Sequence, residues 1–183
     1  MLILASASPR RRELLGYICP DFTVIASDTD ETLPANTPPD EGVQTLALRK
    51  AKAVAAAHPE ATVIGADTMV VLDGKLFEKP VDSADAARML RALSGREHLV
   101  YTGVAILSPR GQRVFSQETA VRFVELSDAD IAGYVDTGEP MDKAGAYGIQ
   151  GRGALFVSGI SGDFYNVMGL PVCRLAQELG GLI

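Results

Sequence analysis

The feature that most constrains this chain is one aspartate inside an apolar run, Val63-Ile64-Gly65-Ala66-Asp67-Thr68-Met69-Val70-Val71-Leu72. The run reads as a buried strand or as two abutting strands. A carboxylate in that setting loses its hydration, and burying it unpaired costs several kcal/mol. Chains keep such a group where a cation, a metal or a proton-transfer role compensates it. Cations are available elsewhere: Ser8-Pro9-Arg10-Arg11-Arg12 near the start, Lys50 in a helix-like segment, and Glu78-Lys79-Pro80 after a short hairpin. Together they point to a site for a polyanion handled with a divalent metal.

The chain has 183 residues, which suits a single domain over 1–183 or a two-lobed single unit. Hydrophobic residues make up 47%, enough for a sizeable core, yet no stretch approaches the roughly 20 apolar residues of a membrane helix. Leu2-Ile3-Leu4-Ala5 is too short for a signal-peptide core, and the charges follow it instead of preceding it. A cytoplasmic protein without membrane contact is expected. In that compartment Cys19 and Cys173 read as free thiols. The net charge of −6 argues against a nucleic-acid partner, which needs a broad basic face. It leaves room for a small phosphorylated ligand, which needs only a few focused cations.

Strand and helix signals alternate along the chain. Strands are expected at Leu2–Ala5, Phe22–Ala26, Thr62–Leu72, Lys75–Phe77, Leu99–Leu107, Val114–Glu125 and Ala154–Ser158. Helices are expected at Arg10–Tyr17, Val43–His58 and Ser83–Leu93, from Ser127 onward, and over Tyr165–Leu179 with an early interruption at Pro171. Ser27–Gly42 is acidic and proline-rich, and reads as a surface loop. Thr137–Gly153 reads as a glycine-rich loop. The order implies an α/β domain with a mixed sheet.

The segment Ser6–Arg12 joins a strand end to a helix start, where free N–H groups, hydroxyls and arginine forks suit phosphate oxygens. Basic residues at a helix N-terminus oppose its dipole, so an anion is expected there, held by Arg10 and Arg11 more than by Arg12. Asp67 reads as a metal ligand or general base, or else as a structural carboxylate hydrogen-bonded in the core, and Thr68 beside it either touches ligand or simply suits a strand. One of Asp28, Asp30 and Glu31 would complete a magnesium-type site with Asp67, and nothing in the residues selects among them. Lys50, between Arg49 and Lys52, reads as an ordinary exposed lysine, while Lys79 in a fixed turn before Pro80 is balanced between a functional and a plain role. The loop Gly145–Gly153 either brings backbone to a planar base, with Gln150 reading its edge, or is a tightly wound structural loop. There is no G-x-x-x-x-G-K-[ST] loop, no G-x-S-x-G elbow and no H-E-x-x-H, and neither His58 nor His98 has catalytic company.

These segments match a known family. Leu4-Ala5-Ser6-Ala7-Ser8-Pro9-Arg10-Arg11 with Glu13-Leu14-Leu15, Leu46-Ala47 with Lys50-Ala51, Gly65-Ala66-Asp67-Thr68 and Glu78-Lys79-Pro80 come first, followed by Tyr134–Pro140, Asp142–Gly151 and Gly169-Leu170-Pro171. Along nearly its whole length the chain resembles the Maf family of nucleoside triphosphate pyrophosphatases. The resemblance implies a Maf/ITPase-like fold, a mixed, twisted sheet flanked by helices with a deep nucleotide-binding cleft, in a homodimer. It implies hydrolysis of a nucleoside triphosphate between the α and β phosphates with Mg2+ or Mn2+. Asp142–Gly151 is similar to the branch acting on dTTP and UTP, and differs from the branch acting on 7-methyl-GTP. By position, Asp67 matches the catalytic acid residue and a metal ligand. Arg10, Thr68 and Gln150 match positions that set substrate choice, and Ser8, Arg11, Glu31, Lys50 and Lys79 match polar pocket residues, Glu31 facing the metal. The loop Ser27-Asp28-Thr29-Asp30 is more acidic than the family pattern. The expected role is a house-cleaning enzyme that removes modified or excess pyrimidine nucleotides such as 5-methyl-UTP. The rival is a nucleotide-binding regulator of cell division and septum formation.

Overall fold

In a computed structural model describing residues 1–182, the strands are β1 (Leu2–Ala5), β2 (Thr23–Val24), β3 (Thr62–Leu72), β4 (Lys75–Phe77), β5 (Glu97–Ser108), β6 (Gly111–Phe123) and β7 (Val157–Ser161). The helices are α1 (Pro9–Gly16), α2 (Pro39–Ala55), α3 (Ser83–Leu93), α4 (Asp128–Val135), α5 (Phe164–Met168) and α6 (Val172–Leu179). Among the described residues the strands form one mixed sheet in the order β2-β1-β3-β5-β6-β7, with β4 pairing β3. β1 runs parallel to both β2 and β3, whereas β3–β4 and β6–β7 are antiparallel. The fold is thus α/β with a mixed sheet and flanking helices, as the alternation of signals implied.

The chain divides into two compact units. One comprises 1–68, 102–117 and the C-terminal segment from 165, and the other comprises 69–101 and 118–164. In the first unit Ile3, Ala5 and Val63 from the sheet pack with Ala47, Ala51 and Val54 from α2. In the second unit Tyr134, Tyr147, Phe123, Phe156 and His98 form an aromatic cluster with edge-to-face contacts, the ring centres of Phe123 and Tyr147 lying 4.7 Å apart. That geometry matches the ring quadrupoles.

Several elements differ from the sequence expectation. α2 begins at Pro39, four residues early, because Pro39 suits the first helical turn and Asp40 and Glu41 favour its dipole. It stops at Ala55, not His58. β2 keeps only Thr23 and Val24 of the expected five-residue strand. The strand expected at Ala154–Ser158 is instead a 3₁₀ turn over Gly151–Phe156, and extended structure starts at Val157. Gly151 opens that turn with φ of 72°, a left-handed conformation that suits glycine. Cys19 and Cys173 are both free. No described helix is long and apolar enough to cross a membrane.

Candidate active site

The centre of the first unit follows from one missing side chain. A Cβ on Gly65 would collide with the Ala47 carbonyl oxygen and crowd the Ala51 amide, so only glycine lets α2 lie this close to β3. Residues two apart on a strand share a face, so Asp67 faces the way Gly65 does. On α2, Ala47, Lys50, Ala51 and Val54 form one helical stripe. The contact at Gly65 therefore carries Lys50 to Asp67, and its Nζ donates to Asp67 Oδ1 at 2.5 Å. The same ammonium lies 2.7 Å from Glu31 Oε1.

The exposures rank these groups. The Lys50 and Asp67 side chains are 12% and 11% exposed, whereas that of Glu31 is 62% exposed. Lys50 is therefore not the ordinary exposed lysine its charged neighbours suggest. The structure also separates the three acidic-loop candidates. Glu31 reaches Lys50, while Asp30 accepts from the Thr32 N–H at 2.9 Å and Asp28 is exposed. Asp67 and Glu31 are hard oxygen donors held on one ammonium, a donor set that suits Mg2+ or Mn2+ with further ligands from water and phosphate. Among the described residues no cluster of three or more His, Cys, Asp or Glu side chains is placed to hold a metal.

Thr68, next along β3, points to the opposite face and meets α1 residues instead. Ser8 caps α1, its Oγ accepting from the Arg11 N–H at 3.4 Å, and Pro9 occupies the first turn. The half-buried Arg11 side chain donates from Nε to the Gly169 carbonyl at 2.8 Å, and from its two terminal nitrogens to Ser6 Oγ at 3.4 Å and Thr68 Oγ1 at 3.0 Å. Thr68 and Thr102 hydroxyls are 2.9 Å apart, and Thr102 donates to the Asn166 carbonyl at 2.9 Å. A guanidinium has five N–H donors, so Arg11 commits most of its fork to the protein. Burial pulls Arg11 below its ordinary pKa, Asp67 and Glu31 oppose that shift, and the neighbouring Arg10 adds to it. The basic first turn expected to need an anion thus already has internal acceptors for Arg11. Arg10 is half-buried beside it.

In the second unit Lys79 and Gln150 are both exposed. The turn carrying Lys79 is tied to the glycine-rich loop, since the Glu78 carbonyl accepts from the Gly145 N–H at 3.1 Å. The glycines of that loop are closely packed, which either reading of it allows. A Cβ on Gly148 would press on the Lys143 stem, one on Gly151 on the Glu139 carboxylate, and one on Gly153 on the Gly148 carbonyl and the Tyr134 hydroxyl. Gln150 sits just before the last 3₁₀ turn of this loop. In the same unit, His98 Nε2 and the Tyr147 hydroxyl are hydrogen-bonded at 2.7 Å. Burial pushes the His98 pKa down to about 4.

Sequence reasoning passed over Gly65 as a contact point, Thr102 and the pair Tyr134–Glu139. Gly65 carried a usable signal, because Gly-x-Asp on a strand facing Ala-x-x-Lys-Ala on a helix juxtaposes the two charges.

Fold and site define an α/β protein in which a buried carboxylate on a central strand is held by a helix-borne lysine. The chain belongs to the Maf family, whose profile, described as "Maf-like protein", matches residues 1–182. A protein of Geobacillus sp. (strain WCH70) named dTTP/UTP pyrophosphatase is 54% identical over 97% of this chain and 96% of its own. Proteins of the same name from Bacillus velezensis and Moorella thermoacetica are 54% and 55% identical, each over 97% of this chain and over 94% and 93% of their own. Among solved structures, the Staphylococcus aureus Ham1 protein is similar with a TM-score of 0.49 at 19% identity, covering 67% of this chain and 71% of that one.

Proposed function

We propose that this protein hydrolyses dTTP and UTP to the nucleoside monophosphate and pyrophosphate. The observation that carries the reading is the buried Asp67 carboxylate held on Lys50. A binding protein needs cations for a triphosphate but has no use for a buried acid. The names of the relatives supply the substrate. In the step envisaged, water attacks the α phosphorus, a new P–O bond forms, and its proton passes to the Asp67 carboxylate. The bond from the α phosphorus to the bridging oxygen breaks, and pyrophosphate leaves with the electron pair. Ser8, Arg10, the uncommitted donors of Arg11, Lys50 and Lys79 bind the triphosphate and offset the charge developing on the leaving group. Thr68 and Gln150 are assigned to substrate choice, with Gln150 reading the base edge. Asp67 and Glu31 would hold Mg2+ or Mn2+, which when bound supplies Lewis-acid polarisation of a phosphoryl oxygen.

The test is pyrophosphate release from UTP, dTTP, 5-methyl-UTP, CTP, 7-methyl-GTP and the common purine triphosphates, with magnesium or manganese and an Asp67→Asn control. Metal-dependent turnover of UTP and dTTP, lost in the control, is the expected result. Binding without turnover of any nucleotide favours the regulatory reading, and preference for 7-methyl-GTP overturns the branch. A cytoplasmic location is proposed together with this activity. Light scattering on the same preparation tests the expected homodimer.

A further inference from the structure

Resting on the assignment of Gln150 to the base edge, we propose that Tyr134 and Glu139 are positioning residues that clamp the backbone on both sides of Gln150 and so set base selectivity. The Gly148 N–H, two residues before Gln150, donates to the Tyr134 hydroxyl oxygen at 3.2 Å. That hydroxyl donates to Glu139 Oε1 at 2.8 Å. Two and three residues beyond Gln150, the Arg152 and Gly153 N–H groups donate to the same carboxylate at 3.1 and 3.3 Å. The arc carrying Gln150 is thus fastened at both ends to one phenol–carboxylate pair.

The pair is itself fixed. Tyr134 is buried, its ring packed edge-on against Phe156 with centres 4.9 Å apart. Glu139 is held through its own N–H on Thr137 Oγ1 at 3.1 Å, and its carbonyl accepts from Lys143 Nζ at 2.6 Å. The glycines complete the device, because side chains at Gly151 or Gly153 would occupy the space in which the backbone reaches the pair. Burial pushes the Glu139 carboxyl up, but the hydrogen bonds from Tyr134, Arg152 and Gly153 more than offset this and hold it below the usual range. It is therefore an acceptor across the neutral range. The physical need is specific to this side chain. A carboxamide presents one donor and one acceptor, and a half-turn exchanges them, so it suits either pyrimidine edge. Discrimination then depends on where the amide is held, and that demands a rigid support.

The experiment compares kcat/KM for UTP and CTP in the wild type, Tyr134→Phe, Glu139→Gln and Gln150→Ala, with hydrogen exchange at the Gly148, Arg152 and Gly153 amides. The UTP/CTP ratio is expected to fall about tenfold in both brace variants, the effect of one charge-assisted hydrogen bond. Faster exchange at Gly148 in Tyr134→Phe, and at Arg152 and Gly153 in Glu139→Gln, shows that the clamp itself opened. A merely structural role would lower turnover of both nucleotides by the same factor. An unchanged ratio in both brace variants, with Gln150→Ala lowering it, overturns the clamp alone. An unchanged ratio in Gln150→Ala overturns the role of Gln150 and the inference built on it. Absence of turnover in the wild type overturns the proposed function and the clamp's role together. Phenylalanine keeps the Tyr134 packing volume, and unprotected wild-type amides at the three positions would refute the clamp without any variant.

Discussion

Lys50 and Asp67 are 17 residues apart in the chain, on a helix and a strand, and their charged atoms are 2.5 Å apart. The pair is nearly dry, so neither charge has water to fall back on if the other is removed. Lys50→Met is expected to cost about 3–5 kcal/mol, because it strands a buried carboxylate. Adding Asp67→Asn should restore much of that stability while turnover stays lost. Urea unfolding of the two single variants and the double variant measures the coupling. Strictly additive costs would show that the two groups do not share the burial penalty.

Gly65→Ala tests how the pair is assembled. The new methyl group meets α2 backbone, so strain of about 1–3 kcal/mol is expected, with a fall in kcat as Lys50 shifts. Gly16→Ala is the control, since nothing lies within 4 Å of a Cβ there. Thermal melts that fail to separate the two variants would refute the close-approach account.

Arg11→Lys keeps the charge and loses the fork. One ammonium cannot reach Ser6, Thr68 and the Gly169 carbonyl as a planar guanidinium does. A loss of about 1–3 kcal/mol is expected from the abandoned acceptors. Equal stability of Arg11→Lys and wild type in urea would mean that Arg11 does not hold this network.

His98 predicts a pH effect on stability. Burial depresses its pKa from 6.5 to about 4, so the unfolded chain takes up a proton that the fold refuses. The His98 contribution is therefore complete above pH 6.5, declines as pH falls towards 4 and levels off below. The total is about 3 kcal/mol, from 1.36 kcal/mol per pKa unit. His98→Phe should flatten the fall in stability between pH 6.5 and pH 4 relative to wild type. Parallel pH profiles for the two proteins would place the titration elsewhere.

The strand at 62–72, its hairpin partner at 75–77 and the helix at 83–93 were legible to the residue. Their apolar periods are unbroken, and Asp73-Gly74 and Asp82 mark their ends. The identity of Asp67 as a group needing compensation was legible for the same reason. Its partner was legible only as one of several candidate cations, because Arg49, Lys50 and Lys52 look alike by spacing, and the packing at Gly65 is what sets the middle one on the carboxylate. The glycine loop was misread at its end, where Ala154–Phe156 has strand-like composition. Closure of Gly151 and Gly153 onto Tyr134 and Glu139 outweighs that local preference. Such tertiary contacts leave no periodic trace.

The two carboxylates on Lys50 differ in one further respect. Asp67 is fixed by a buried strand, whereas Glu31 reaches in from a loop and keeps most of its side chain in water. Exposed ion pairs are worth about 0–1 kcal/mol, and salt weakens them. Lys50 thus has one permanent counter-ion and one that exchanges at little cost for any better anion. In the proposed reaction Lys50 would take up a phosphate oxygen by releasing Glu31, with its contact to Asp67 undisturbed.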